Sequence, residues 1–594
     1  MRKCVILFIG LIVAIGQLII PAAARGQTRN PTAQRLNGIV KDALGRPLAE
    51  VDVNLETTDG HVIGTVRSDR QGAFSFPNVR PGTYATVAHK ANFKPATAIV
   101  AVTKSAAKPV TLAMESEAAL SLTVAAKRLD RSRNSLSPTT GGSSYTFTQR
   151  AISELPQGSN TPLNQVLLQA PGVVNDSFGQ LHVRGDHADL QYRIDGVQLP
   201  EGIVGLTNSF STRFANSISL LDGALPAEFG LRTAGIVDIH TKSGTIAPGG
   251  NIEFYGGQRE TWQPSFEYGG TTGKFSYYMT GSYLHDTRGI EPPTSGPSPD
   301  HDKTEQGRFF GDFSYFITPT MRLTLLTGTA VTDIQIPGNV DQPTAFNLVG
   351  VPNDPRTGLP IYNSLNVREG QLEQNYYNVL ALQGAFDKVD YQISAFSRYS
   401  TIHFRPDNIG DLVFNGASSD VFRSSFVNGL QGDASYHLGE THTLRSGFYF
   451  SGENAYIGNN ELVFKTNPDG TQASNVPFKI VDNTQITDWL YGVYVQDEWR
   501  ATERLTVNYG VRFDLSDAFV RADQFSPRFG VVYKLPTKTT LHAAYARHFT
   551  PPQTEVVHSS VFFNVAATTA TPTTRCRANC STRVSSDLRW FSRR

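Results

Sequence analysis

Cysteine is nearly absent from this 594-residue chain, with only Cys4, Cys576 and Cys580. A disulfide framework is therefore excluded as what holds the fold together. Methionine is as sparse, at four. Neither sign of charge is in excess, Lys+Arg 53 standing against Asp+Glu 52, so no basic face argues for nucleic acid as a partner. Mean hydropathy is −0.25, which excludes a multi-helix membrane protein. A transmembrane strand array escapes that test, because its alternate residues face water. H-E-x-x-H, G-x-S-x-G and P-loop motifs are all missing, so the chain shows no enzyme site and asks for no cofactor.

What is present points to strands and turns. Aromatics make up 10% and glycine numbers 52, a composition suited to a β-rich protein. The first residues are set apart. Arg2 and Lys3 precede an apolar run over 5–20 and then Pro21-Ala22-Ala23-Ala24. That order predicts a secretory signal peptide over 1–24, cleaved near Ala24. The run is shorter than the ~20 residues of a membrane-spanning helix.

Residues 36–113 read as a small β-sandwich. Val51, Val53 and Leu55 alternate with Asp52 and Asn54, and Phe74 and Phe76 follow a Ser68-Asp69-Arg70-Gln71-Gly72 turn, each the mark of a half-buried strand. The pieces G-x-V-x-D-x-x-G-x-P-L, V-x-V-x-L, D-x-x-G-x-F-x-F and P-G-x-Y make this stretch similar to the carboxypeptidase regulatory-like domain, also described as carbohydrate-binding-like. That resemblance carries no catalytic residues; it implies a spacer, docking or glycan-contacting module.

Residues 181–244 carry the most specific pattern. It comprises Arg184-Gly185, Ile194-Asp195-Gly196-Val197, Asp222-Gly223, Phe229-Gly230, and Gly235-Ile236-Val237-Asp238-Ile239-His240-Thr241-Lys242-Ser243-Gly244. Physically these are short apolar strands broken by glycine, with Asp195-Gly196 and Asp222-Gly223 as hairpin-type turns. Asn160-Thr161-Pro162 predicts a helix start with a polar cap, and Leu163, Val166, Leu167 and Ala170 then share a face. His182, His187, Asp186 and Asp189 cluster near one strand; they read as water-facing polar residues rather than a metal site. In order and spacing the series resembles the plug domain of TonB-dependent outer-membrane receptors, with the plug over 143–245.

From 249 onward strands alternate throughout. Leu505, Val507, Tyr509, Val511 and Phe513 lie on one face, with Thr506, Asn508, Gly510 and Arg512 on the other. Short connections at 318–320, 387–389, 438–441, 501–503 and 536–538 alternate with long ones near 289–307, 333–374, 405–423 and 454–485. Short turns on one rim and long loops on the other mark an outer-membrane barrel; a soluble sandwich would lack that asymmetry. The expected fold is thus mainly β: a small β-sandwich, an α/β plug, and a partial antiparallel transmembrane β-barrel over 249–549. About thirteen strands are countable, an odd number, and the tail over 566–594 is rich in Thr, Ser and Arg, which reads as an incomplete barrel.

The resemblance implies ligand uptake across the outer membrane, driven by TonB and its inner-membrane motor partners. The ligand stays open among peptide, glycan and metal chelate, with outer-membrane lipid as the surroundings. In the linker over 114–142, Leu120, Ser121, Leu122, Thr123 and Val124 alternate and are candidates for the extended segment that TonB binds by strand addition; they could equally be the last strand of the preceding domain. Two other functions fit the same residues: a surface binding or adhesion protein without transport, and an exported glycan-binding module.

Overall fold

Alternation of apolar and polar residues becomes strand after strand in the computed structural model. It describes residues 33–42, 45–103, 107–137, 142–175, 181–187, 190–199, 210–232, 234–289, 300–518, 521–537, 539–551 and 582–583. The expected signal peptide, Asp189, Cys576, Cys580 and all of the tail except 582–583 lie outside the described residues. Two compact units divide the chain, Met1–Glu117 and Ala118–Arg594.

In the first unit, strand Gln34–Asp42 lies between Ala73–Val79, antiparallel, and Val110–Met114, parallel. A second sheet runs in the order Val62–Arg67, Asp52–Thr57, Gly82–His89, Ala96–Val102. Inward positions of both sheets, Val53 and Leu55 against Phe74 and Phe76 among them, share one core. The Asp69 carboxylate accepts from the backbone N–H of Gln71 and Ala73 at 2.9 and 2.8 Å, the local bonding by which aspartate makes a turn.

The second unit opens with helix Glu117–Ser135, which corrects the extended reading of residues 120–124. Leu122, Ala125, Ala126 and Leu129 are spaced i, i+3, i+4, i+7 and pack with Phe316 and Ala385. That helical stripe overrides the local Leu-x-Leu-x-Val alternation. A five-stranded plug sheet follows, in the order Val197–Leu199, Leu190–Ile194, Gly235–Thr241, Ala215–Asp222, Ser143–Thr148. The expected plug helix is short, Leu163–Leu167, and begins on Pro162 without a side-chain cap, but its predicted face is buried. Asp222-Gly223 does not close a two-residue hairpin. Strand Ala215–Asp222 pairs with Gly235–Thr241 only after the excursion over 223–234.

Fourteen strands in consecutive order form the largest sheet, from Gly249–Gly256 to Thr540–Arg547 and the two-residue Thr582–Arg583. The tail thus supplies one short strand where none was expected. Outward aromatic side chains form two belts. Phe386, Tyr436, Trp499, Tyr509 and Tyr533 lie near the short turns, and Trp262, Tyr283, Tyr376, Tyr399 and Phe426 toward the long loops, all at least a third exposed. Ten residues separate Tyr376 from Phe386 on one strand. That is about 33 Å of strand, and at the ~35–45° tilt of such sheets roughly 25 Å of height, matching an outer-membrane apolar band. No helix among the described residues is long and apolar enough to cross a membrane, which says nothing of strands.

Two expected long loops are shorter than the sequence suggested. Strands Ala417–Leu438, His442–Val463 and Phe478–Arg500 extend past the upper belt, where both faces carry polar residues and the alternation is lost. The connections over 337–368, 406–416 and 464–477 then fold onto one another. Val367, Val413 and Phe414 make a small core with Leu348, Val351 and Tyr362. Val413 O accepts from Ala345 and Phe346, and Val349 N–H donates to Asn475 O at 2.9 Å. Asn347 N–H donates to Gln472 Oε1, and Gln472 Nε2 donates back to Asn347 O.

Candidate functional site

The site is the seat of the plug inside the curved sheet. Arg184 and Gly185 both have positive φ, at 51° and 87°, as do Asp195 and Gly196, at 50° and 81°. Each pair joins two antiparallel strands, and two consecutive left-handed residues are what a type I′ hairpin requires. Arg184 then pairs with buried Asp222 at 2.9 Å and donates to Ser143 at 3.0 Å. Gly223, at φ 94°, lies against Gly142.

The Asp195 turn is a junction. Its carboxylate accepts from Thr241 N–H at 3.1 Å and Thr241 Oγ1 at 2.6 Å, and pairs with Arg133 of the linker helix at 3.0 Å. Its carbonyl accepts from Gln392 Nε2 on the sheet at 3.0 Å. Beside it, Gln431 donates to Gly196 O at 3.0 Å and accepts from Gln198 N–H at 2.8 Å. Further along the wall, Gln496 accepts from Ala227 N–H at 2.7 Å, Arg512 donates to Glu228 O at 3.2 Å, and Arg528 donates to Phe229 O at 3.1 Å. Inward glutamines and arginines thus hold the plug by its main chain. Sequence reasoning placed Arg512 on the face opposite Leu505, Val507, Tyr509, Val511 and Phe513 but missed its role and those of Gln392, Gln431, Gln496 and Arg528. The available signal was a long hydrogen-bonding side chain recurring at inward positions.

Glycines of the motif mark where wall and plug touch most closely. A Cβ at Gly230 would sit 2.0 Å from Arg512 Nε, and one at Gly244 would sit 2.1 Å from Gly270 O and 2.3 Å from Tyr277 O. Within the plug sheet itself, a Cβ at Gly235 would meet Leu221 O of the neighbouring strand at 2.9 Å. Lys242, 1% exposed, pairs with Glu267 at 2.8 Å, which also accepts from Tyr278.

The linker helix is tied to both bodies. Asp130 pairs with Arg322 of the sheet at 2.7 Å. Ser132 and Ser135 donate to Asp390 at 2.6 and 2.8 Å, Arg445 donates to Ser135 O at 3.1 Å, and Gln383 donates to Leu129 O. Burial pushes the Asp130 carboxyl up, but Arg322 and Arg133 outweigh it and hold it below the usual carboxylate range. Glu228 behaves oppositely. Burial raises it to about 7, more than Arg193, at 3.4 Å, and Ser137, donating at 2.7 Å, offset.

Of the residues singled out in the sequence, Arg184, Gly185, Asp195, Gly196, Gly223, Gly230, Gly235, Lys242 and Gly244 therefore gather at turns and contacts of the plug. Residues 120–124 stand apart on the helix. His182 is the backbone register partner of His187 across a two-residue hairpin, and no group of three His, Cys, Asp or Glu placed to hold a metal occurs among the described residues.

Comparison with known proteins agrees with this architecture. Residues 327–575 match the family described as TonB dependent receptor-like, beta-barrel, and residues 35–115 match the carboxypeptidase regulatory-like domain. A curated relative is the TonB-dependent transporter Oar of Myxococcus xanthus, 26% identical over 266 residues, which are 43% of this chain and 24% of Oar. The chain thus spans about a quarter of that relative's length. Among solved structures, the ferripyoverdine receptor of Pseudomonas aeruginosa aligns at TM-score 0.52 and 15% identity, over 70% of this chain and 58% of that one. Ferric citrate transporter FecA aligns at TM-score 0.53 and 14% identity, over 72% and 65%. At such identities the likeness speaks to fold.

Proposed function

We propose that this chain, similar to the TonB-dependent receptors over residues 327–575, takes up a ligand across the outer membrane, with TonB and its inner-membrane motor partners as the energy source. The observation that carries the reading is the manner in which the plug is held. Gln392, Gln431, Gln496, Arg512 and Arg528 bond to its main chain one by one. Each such bond contributes about 0.5–1.5 kcal/mol, so the plug is seated firmly yet can be released stepwise by a directed pull. The ligand, whether peptide, glycan or metal chelate, enters from the long-loop side, where the fused loops over 337–368, 406–416 and 464–477 stand above the plug.

TonB contact falls to the linker, with Leu120, Ser121, Leu122, Thr123 and Val124 as the candidate segment. Strand addition there requires the helix to unwind from Leu122, which is 5% exposed. That burial favours a second reading, a surface binding protein that keeps the plug seated and does not transport. Binding of TonB's C-terminal domain to a peptide of residues 114–142, and to the full chain, separates the two. Binding to both, with a register over 120–124, supports transport. Binding to neither leaves the surface-binding reading.

A further inference from the structure

Between the two aromatic belts, the outward face carries an apolar groove of about 680 Å³ crossing six neighbouring strands, within the ~300–1,000 Å³ of small-molecule sites. Register places three polar residues abreast at its upper end. Asn378 is opposite Ser397, Ser397 opposite Asn428, and Asn428 opposite Gly452, whose other neighbour is Trp489. One step toward the long loops lie Tyr376, Tyr399 and Phe426 of the belt. One step the other way lie Leu380, Ala395 and Leu430. At Gly452 the wall is thinned, since a Cβ there would come within 2.5 Å of the Trp489 ring.

Asn378, Ser397 and Asn428 face outward, and among the described residues their side chains have no hydrogen-bonding protein partner. In hydrocarbon, polar groups without partners are costly, and scattered water cannot be assumed below the belt. Leucines at these positions would suit lipid better. The retained donors therefore have a use at that depth, and aromatic belts mark the headgroup level, beneath which ester carbonyls lie. Resting on the outer-membrane reading above, the geometry points to a binding site for one ester-linked acyl lipid: its carbonyl oxygens accept from the two amides and the hydroxyl, and an acyl chain fills the groove beside Leu380, Leu430 and Trp489. A second protein is the poorer occupant, because the recess is concave and lined by side chains that a flexible chain fills without ordering a partner surface.

The test uses the full chain. Insertion is established first, by flotation with vesicles of phosphatidylethanolamine and phosphatidylglycerol; a chain that fails to float overturns the membrane reading itself. Extracted protein is then examined by native mass spectrometry with added phosphatidylethanolamine or lipid A. One retained lipid is expected. Asn378→Leu/Asn428→Leu should reduce its retention roughly tenfold, at about threefold per hydrogen bond in a bilayer. Ala395→Phe, which fills the groove and keeps the amides, should also displace it. Preference for one of the two lipids identifies the source. An inserted chain that retains no lipid, or retains it equally in both variants, overturns the site.

Discussion

Glu228 shows what burial does to one carboxyl. It is 8% exposed, touches Arg193 and Ser137, and lies where the wall's Arg512 bonds to its own carbonyl. Its folded pKa of about 7 stands above the ordinary 4.5, so the folded state binds the proton more tightly than the unfolded chain. Stability from this group is therefore full below pH 4.5 and falls as pH rises toward 7. The drop is of order 3 kcal/mol. Asp130, held low by two arginines, acts in the opposite sense and only at more acidic pH. Urea midpoints of detergent-solubilised protein at pH 5 and pH 8 should differ less in Glu228→Gln than in the parent. An unchanged difference would show that Glu228 titrates normally.

At the scale of the element, helix Glu117–Ser135 is fixed by one apolar stripe and a set of polar ties. Leu129 is fully buried, and Leu129→Ala should cost about 2–5 kcal/mol. Because Phe316 and Ala385 are the sheet residues in its small core, the loss should stay local. It should register as faster hydrogen exchange over 122–135, with strands Glu369–Phe386 and Val389–Arg405 unaffected. Equal exchange in parent and variant would mean that the polar ties to Arg322, Asp390 and Arg445 hold the helix alone. The helix was also the least legible element. Its L-S-L-T-V start satisfies the period of a strand, and its helical stripe becomes visible only when read through to Leu129. The plug turns were legible, because Arg184-Gly185 and Asp195-Gly196 state their backbone conformation directly. The sheet was legible wherever one face is apolar and the other is turned to the plug, as at Val507 to Phe513. Past the upper aromatic belt, in Asn459-Asn460-Glu461 and Asp482-Asn483-Thr484, both faces are polar and the pattern fades although the strands continue.

Taken as a whole, the second unit buries plug and wall in one shared core. Plug residues such as Ile218, Leu220, Val237 and Ile239 belong to the same buried cluster as Tyr278, Phe310, Tyr377, Phe396, Tyr449 and Phe549 of the wall. No sequence period could reveal this sharing, since each partner shows only its own half of the contact. A plug of residues 143–245 expressed alone should therefore keep strand and some helix by circular dichroism. It should nonetheless bind ANS and melt without a sharp transition, as chains do when fixed side-chain packing is lost. A cooperative melt would mean that the plug's own strands suffice.

The three upper connections, two joined through Val367, Val413 and Phe414 and the third bonded to Asn347 and Val349, also constrain how this surface can vary. Phe346 stacks near Phe464 and covers Gly416, so that a Cβ on Gly416 would meet its ring at 2.8 Å. A change in one connection is thus felt by the other two. The three connections therefore behave as one packed cassette rather than as separate loops. Grafting a single connection from a relative should unfold the cap, whereas exchanging all three together transfers its shape intact.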